Sequence, residues 1–367
     1  MRPGEPTSKR RGWRSHVPAP LRHGVTVFLV LLVVEYLVIP RFVAAGHDLN
    51  QLGHLNVAWL VAGIVLEAAA LFAYALLTKV LLPPGPSVAT LFRIDLAGTA
   101  IAHVLPGGSA GSATLGYRLL TAQGVRGQDA AMAMATQGMG SAVVLNVLLW
   151  LALVVSIPLA GIHTAYVVAA LLGMLLILFI GGLVYLFTRG EESAVRFVRA
   201  VGRRLPRVSE DRLEELVRHV GQSLRNLSRD RETLRRALLF AALNWLLDAA
   251  SLWTFLAALD RYVNPVLLFV AYGVGNVLAA IPITPGGLGL VEASTTGLLI
   301  SFGIPGWVAT LGVIGWRFVN FWLPIPVGAG AYVSLRVQRG QRLRHPHDAI
   351  AAMAHDAKSP ATEASSP

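Results

Sequence analysis

The 367-residue chain contains no cysteine, which excludes disulfide bonds, thiol nucleophiles and thiolate metal sites. It is also short of charge. Only 14% of its residues are Asp, Glu, Lys or Arg, against about a quarter in soluble domains. Its 10 histidines are scattered, without a His-Glu-x-x-His pair or comparable ligand spacing, so no metal site is expected. His345 and His347 lie in a polar Ala/Pro-rich tail and read as a solvated fragment. A Gly-x-x-x-x-Gly-Lys-Ser/Thr loop is missing too, which argues against ATP-driven pumping by this chain. No cofactor is implied, and no nucleophile–base constellation marks an enzyme.

What fills the chain instead is apolar. Hydrophobic residues make up 54% and the mean hydropathy is +0.60. Apolar runs long enough to span a bilayer lie at 24–44, 57–82, 130–158, 165–187, 237–258 and 307–335. Shorter or broken apolar segments occupy 88–105, 266–283 and 288–302. The expected class is an all-α polytopic membrane protein. The first run follows a basic head, as a signal peptide would. Its apolar core is about twice the usual length and lacks a small-residue cleavage site, so an uncleaved first span is expected.

The net charge of +11 is explained by where it sits, and no nucleic-acid partner is implied. Arg2, Lys9, Arg10, Arg11, Arg14 and Arg22 crowd the head, and Arg336, Arg339, Arg342 and Arg344 the tail. More arginines fill 189–236. Basic residues in short loops mark the cytoplasmic face. The reading is a basic cytoplasmic head (1–23), a first membrane half (24–187), a cytoplasmic basic linker (188–236), a second membrane half (237–335) and a disordered cytoplasmic tail (336–367). In the linker, Leu213, Leu216, Val217, Val220, Leu224 and Leu227 recur at helical spacing. Such a helix lies either on anionic head groups or against the membrane bundle. The arginine-rich, lysine-poor composition points to a bacterial plasma membrane.

Two stretches break the apolar pattern. Pro282-Ile283-Thr284-Pro285-Gly286-Gly287-Leu288-Gly289-Leu290-Val291-Glu292 combines helix breakers with a carboxylate. Prolines remove backbone donors and glycines permit geometries other residues resist. Inside a bilayer, broken backbone is tolerated only where protein buries it or where it lines a wet cavity. The second stretch is Pro106-Gly107-Gly108, which lies 179 residues before Pro285-Gly286-Gly287. The match runs on without a gap: Leu119-Leu120 falls on Leu298-Leu299, Gly124 on Gly303, Gly127 on Gly306 and Ala130 on Ala309. Each copy reads as an apolar segment, Pro-Gly-Gly, a helix of about four turns, then a glycine turn. Paired interruptions in corresponding halves point to a binding site at a repeat interface; chance likeness of two glycine-rich regions is the alternative.

Charge and length together set the topology. With head, linker and tail all inside, 88–122 must leave and re-enter the cytoplasmic side, and 266–303 the opposite side. About six full spans follow, plus two oppositely directed re-entrant hairpins in an inverted repeat. About eight or nine ordinary spans are the alternative, since short helices cross when tilted little.

Ionisable groups inside a membrane are costly and therefore candidate functional groups. Glu35, Glu67, Arg93, Asp95, His103, Arg118, Asn146, Asn244, Asp248, Asn276, Glu292, Arg317 and Asn320 all fall within apolar segments. Glu292 follows the break, and Arg317 lies about seven to fifteen ångströms into the next span by helix rise. One reading is a structural Glu292–Arg317 pair that holds the hairpin. The other gives the arginines a phosphate to hold, since guanidinium fits phosphate geometry. The candidate substrate-binding set is Glu292, Arg317, Arg118, Asn276, Pro285, Gly286, Gly287, Pro106, Gly107 and Gly108.

These residues carry a resemblance. The stretch 282–292, then Gly303-Ile304-Pro305 and Trp316-Arg317-Phe318-Val319-Asn320-Phe321-Trp322-Leu323-Pro324 resemble the signature of the lysylphosphatidylglycerol synthase transmembrane family of flippase-like membrane proteins. Leu105-Pro106-Gly107-Gly108 and Tyr117-Arg118-Leu119-Leu120 are similar to its first-half motif. The resemblance covers about residues 24–335. It implies a multi-span protein that moves a phospholipid or lipid-linked anion between leaflets, with Glu292 and Arg317 as the positions best matched to the motif. A non-transporting lipid-binding scaffold for an enzyme or membrane partner protein is the alternative. Bifunctional members add a large soluble synthase domain. About thirty residues follow the last span here, well below domain size, so the synthase reaction is not expected.

Overall fold

The computed structural model describes residues 55–160 except 83, 106 and 107, residue 174, and residues 230–344 except 281–283. The expected spans at 24–44 and 165–187, the head, the amphipathic linker positions and the tail beyond 344 lie outside the described residues. All regular structure among the described residues is helical. In order these are α1 (Val57–Leu81), α2 (Val88–Val104), α3 (Gly108–Ala122), α4 (Gly127–Ala160), α5 (Arg231–Ala257), α6 (Pro265–Ala279), a short turn at Pro285–Gly287, α7 (Leu290–Ser301), α8 (Gly306–Arg317), a widened turn at Phe318–Trp322, and α9 (Pro324–Arg344).

Four stretches are long and apolar enough to cross a membrane: Val57–Leu81, Gly127–Ser156, Arg231–Ala257 and Gly306–Gln338. By contrast α2 has 17 residues and α6 has 15, fewer than the ~20 of a full span.

Local chemistry sets the helix ends. Asn56 caps α1, its Oδ1 accepting from the Ala58 N–H at 3.0 Å, and Asn264 caps α6 with Pro265 in the first turn. Helix α5 begins six residues before the apolar run because Asp230 caps it, accepting from the Glu232 and Thr233 N–H groups at 3.2 and 3.1 Å. Glu232 then pairs with Arg235 and Arg236 at 2.7 and 2.6 Å, supporting a polar first turn. Hydropathy marks where the chain becomes apolar, which is not where its helix starts.

The last long stretch is interrupted. At Phe318–Trp322 the helix widens, and the Leu323 N–H reaches back five residues to the Phe318 carbonyl at 2.9 Å. Pro324 lacks the donor for an ordinary helical bond and would crowd the carbonyl four residues earlier. The wider turn relieves that clash.

The offset of 179 residues reappears in the backbone. Gly124 and Gly303 have φ of +89° and +86°. The Val125 N–H reaches the Leu120 carbonyl and the Ile304 N–H the Leu299 carbonyl, at 3.2 and 3.1 Å. Both are the same left-handed helix stop, and α4 and α8 begin at corresponding residues, Gly127 and Gly306. The corresponding helices α1 and α5 pack antiparallel: Asn56 N–H donates to the Ala258 carbonyl at 3.2 Å, and Ser251 Oγ to the Gly63 carbonyl at 2.9 Å. Helices α2 and α3 pack as one hairpin and α6 and α7 as another. Helix α2 also packs on α9, while its counterpart α6 packs on α4.

Small residues permit this packing, as expected where lipid tails offer no hydrophobic drive between helices. A Cβ on Gly328 of α9 would lie 2.2 Å from the Leu96 carbonyl oxygen of α2. Gly330, two residues on, has nothing within 4 Å of that position. Gly328→Ala should therefore lower stability by about 1–3 kcal/mol, while Gly330→Ala should leave it unchanged within about 0.5 kcal/mol. Thermal unfolding of the two variants in the same detergent checks this; equal melting temperatures would contradict the packing.

Candidate functional site

The candidate site lies at the break between α6 and α7. Gly286, Gly287 and Gly289 have φ of +54°, +71° and +82°, a region in which side chains with a Cβ are strained. Space excludes a side chain as well: a Cβ on Gly286 would fall 2.3 Å from the Phe321 ring, and one on Gly287 2.5 Å from the Ala279 Cβ.

Glu292, in the first turn of α7, closes the break from below. Its Oε2 accepts from the Gly289 N–H at 2.6 Å, and its Oε1 accepts from Nε of Arg317. Arg317, at the end of α8, is buried, with 4% exposure. It donates through Nη2 to the Gly286 carbonyl at 3.3 Å and through Nη1 to Asn320 Oδ1 at 3.4 Å. Its guanidinium carbon lies 4.4 Å from the Phe321 ring centre, a cation–π distance. The ion pair thus clasps the backbone on both sides of the break.

The clasp continues into the first half. Asn320 Nδ2 donates to Glu67 Oε1 on α1 at 3.2 Å. Glu67 lies against Asp248 of α5. Asp248 accepts from Trp316 Nε1 at 2.7 Å and from the Tyr272 hydroxyl at 2.8 Å. His103 of α2 meets the same centre: its ring stacks on Phe321 at 4.3 Å, and its Nδ1 donates to the Phe321 carbonyl at 2.9 Å. The first hairpin therefore touches the break in the second. A separate polar group joins α1, α2 and α4, where Thr78 Oγ1 donates to Asp95 at 2.8 Å and Gln137 Nε2 to Thr78 at 2.6 Å. Beside these, an apolar cavity of about 600 Å³ opens between α1, α4, α5 and α6, lined by Trp59, Leu148, Trp253 and Phe269 among others.

Of the residues singled out from sequence, Glu292, Arg317, Pro285, Gly286 and Gly287 come together here. Asn276 does not join them; its Nδ2 donates to the Tyr272 carbonyl one turn back, at 3.0 Å. Arg118 is exposed on α3. Gly108 opens α3 with its backbone pressed on Ala102, 2.2 Å from where a Cβ would sit. Pro106 and Gly107 lie outside the described residues. Glu67, Asp248, Asn320 and His103 were visible as polar residues in apolar segments but were not singled out; Tyr272, Trp316 and Phe321 gave no polar signal. Among the described residues, no three His, Asp or Glu side chains are grouped to hold a metal. The arrangement holds charge and backbone.

Residues 24–328 match the family described as lysylphosphatidylglycerol synthase TM region. Two archaeal proteins of Methanothermobacter thermautotrophicus, both described as UPF0104 membrane proteins, are also similar. One is 21% identical over 326 residues, covering 85% of this chain and 95% of the relative. The other is 27% identical over 171 residues, covering 44% of this chain and 51% of the relative, so that match spans about half the relative's length. The chain belongs to the lysylphosphatidylglycerol synthase TM region family and is a multi-pass membrane protein.

Removing one partner of a buried ion pair strands the other charge, at about 3–5 kcal/mol. Glu292→Gln should therefore destabilise the protein more than the double replacement Glu292→Gln with Arg317→Met, measured by unfolding in detergent. The double variant should stay below wild type, because the Gly289 N–H and Gly286 carbonyl lose charged partners. Additive losses would mean that the two residues act separately.

Proposed function

We propose that this chain is a flippase-like translocator that carries a phospholipid or lipid-linked anion between leaflets, and that it is not an enzyme. The observation that carries the reading is the clasped helix break. A break with buried charge inside a bilayer is costly, and here it lies where the two hairpins touch. Transporters of several folds place their sites at such interrupted helices.

The proposed architecture is about six spans with two re-entrant hairpins in an inverted repeat. Helices α1 and α5 correspond under the 179-residue offset and pack antiparallel. A two-fold axis relating antiparallel partners runs perpendicular to them, in the plane of the bilayer. The same operation exchanges the α2–α9 contact with the α6–α4 contact. Head, linker and tail are then cytoplasmic by the positive-inside rule, in a plasma membrane.

In the proposed cycle the head group competes with Glu292 for Arg317, whose planar fork suits phosphate. Acyl chains stay in the apolar phase, for which the cavity beside α5 supplies a lining. Rocking of one half against the other about the α1–α5 contact changes the side of access. Arg118, without a side-chain hydrogen bond or ion pair among the described residues, offers a further guanidinium at the first hairpin. One observation favours the scaffold reading instead. Arg317 directs its donors to protein groups, so the junction is closed in this conformation and must open for a head group to enter.

Reconstituted in proteoliposomes, the wild-type chain should move labelled anionic or zwitterionic phospholipid between leaflets. Arg317→Lys keeps the charge but loses the fork that reaches Glu292, Asn320 and Gly286 together. Transport should fall at least tenfold, with membrane insertion intact, and Arg317→Ala should be the stronger lesion. A wild-type chain that moves no such lipid, yet binds a membrane partner, would establish the scaffold.

A further inference from the structure

Beyond the Glu292–Arg317 pair, the buried centre carries two more carboxyls, Glu67 and Asp248, which are 3% and 7% exposed. They meet where α1 and α5 cross, and no second guanidinium or ammonium reaches them among the described residues. Two carboxyls in contact inside a low-dielectric interior do not both ionise. Their hydrogen bonds divide the roles. Asp248 receives a donor on each oxygen, Trp316 Nε1 at 2.7 Å and the Tyr272 hydroxyl at 2.8 Å, the pattern that suits an anion. Glu67 accepts on Oε1 from Asn320 at 3.2 Å, while its Oε2 is buried and receives no donor. An unsolvated carboxylate oxygen without a donor is costly. With a proton on Oε2, the same atom becomes a donor to Asp248 and the deficit disappears.

We infer that Glu67 is a proton-binding site, with Asp248 as the anion that receives its hydrogen bond. Neighbouring charges are few. Asp248 faces Glu67 from α5, Tyr272 from α6, Arg317 from α8, and the neutral Asn320 from the widened turn. Asp95 on α2 and Gln137 on α4 bond Thr78 instead, about 16 Å along α1 from Glu67 by helix rise. Losing the proton leaves two anions side by side, and the nearest cation among the described residues is Arg317, which Asn320 already links to Glu67. The guanidinium is then drawn from Glu292 and the Gly286 carbonyl towards α1 and α5, which loosens the break. Proton occupancy of Glu67 and closure of the clasp are one coupled equilibrium.

Infrared spectroscopy of the full chain in lipid nanodiscs at neutral pH tests this without any transport assay, so its failure is separable from failure of the translocator reading. The wild type should show the carbonyl band of a neutral carboxyl, shifted in heavy water. Glu67→Gln should remove one carboxyl equivalent of it, Asp95→Asn should leave that component, and Asp248→Asn should move its frequency. If Glu67→Gln does not fold, Glu67→Asp serves instead and must shift the component. A band absent from the wild type, or untouched by either Glu67 variant, would overturn the assignment. Loss of the band on replacing choline by sodium at constant pH would assign the pair to a metal cation and overturn it equally.

Discussion

A bilayer interior supplies no water to a broken helix, so every group that the break exposes must find a partner in the protein. Pro285 and the glycines around it create such a break, and Arg317 with Glu292 answers it. One charge donates to the Gly286 carbonyl and the other accepts from the Gly289 N–H, while each neutralises its partner. The widened turn at Phe318–Trp322 follows directly after Arg317 and carries Asn320 and Phe321 to the guanidinium. From Asn320 a hydrogen bond reaches Glu67 of α1, which lies against Asp248 of α5, itself bonded by Tyr272 of α6. The charge balance of the break and its link to α1 both pass through that buried guanidinium.

The two halves repeat their backbone but not their chemistry. The helix stops at Gly124 and Gly303 share their φ and their hydrogen bonds. Moved back by the same 179 residues, however, Glu292 falls on Ala113 and Arg317 on Gly138. Asp95, at the heart of the Thr78–Gln137 group, falls on Val274. The ion pair therefore belongs to the second copy alone, and the first copy reaches its neighbours Asn320 and Phe321 through Glu67 and His103. In the proposed inverted arrangement, a one-sided charge cluster would give the proposed translocator a fixed point and a mobile partner.

Much of this was legible in the sequence because the features are local. The break at Pro285-Gly286-Gly287, the offset between the two copies and the lengths of the four long apolar stretches among the described residues need no knowledge of packing. Glu292 and Arg317 could be paired because Glu292 follows the break and Arg317 is an opposite charge inside the next apolar segment. Other features depend on distant partners. Glu67 and Asn320 are 253 residues apart, and no periodicity links them. Tyr272 and Trp316 are uncharged residues within apolar runs, yet each donates to buried Asp248. Arg118 was selected for its residue type, whereas its orientation on an exposed face of α3 is a matter of helix phase against α2 and α4. The widened turn came from Pro324 acting on a carbonyl, which a hydropathy window does not register.

The central claim is that the two halves face opposite sides of the membrane around the clasp. The natural chain has no cysteine, so single cysteines report cleanly on sidedness. Arg126, in the turn between α3 and α4, and Ser301, at the end of α7 before α8, are both exposed. With Arg126→Cys and Ser301→Cys variants in oriented membrane vesicles, a membrane-impermeant thiol reagent should label Arg126→Cys from the cytoplasmic side only and Ser301→Cys from the opposite side only. Labelling of both from the same side would contradict the inverted arrangement, and with it the proposed mechanism of access.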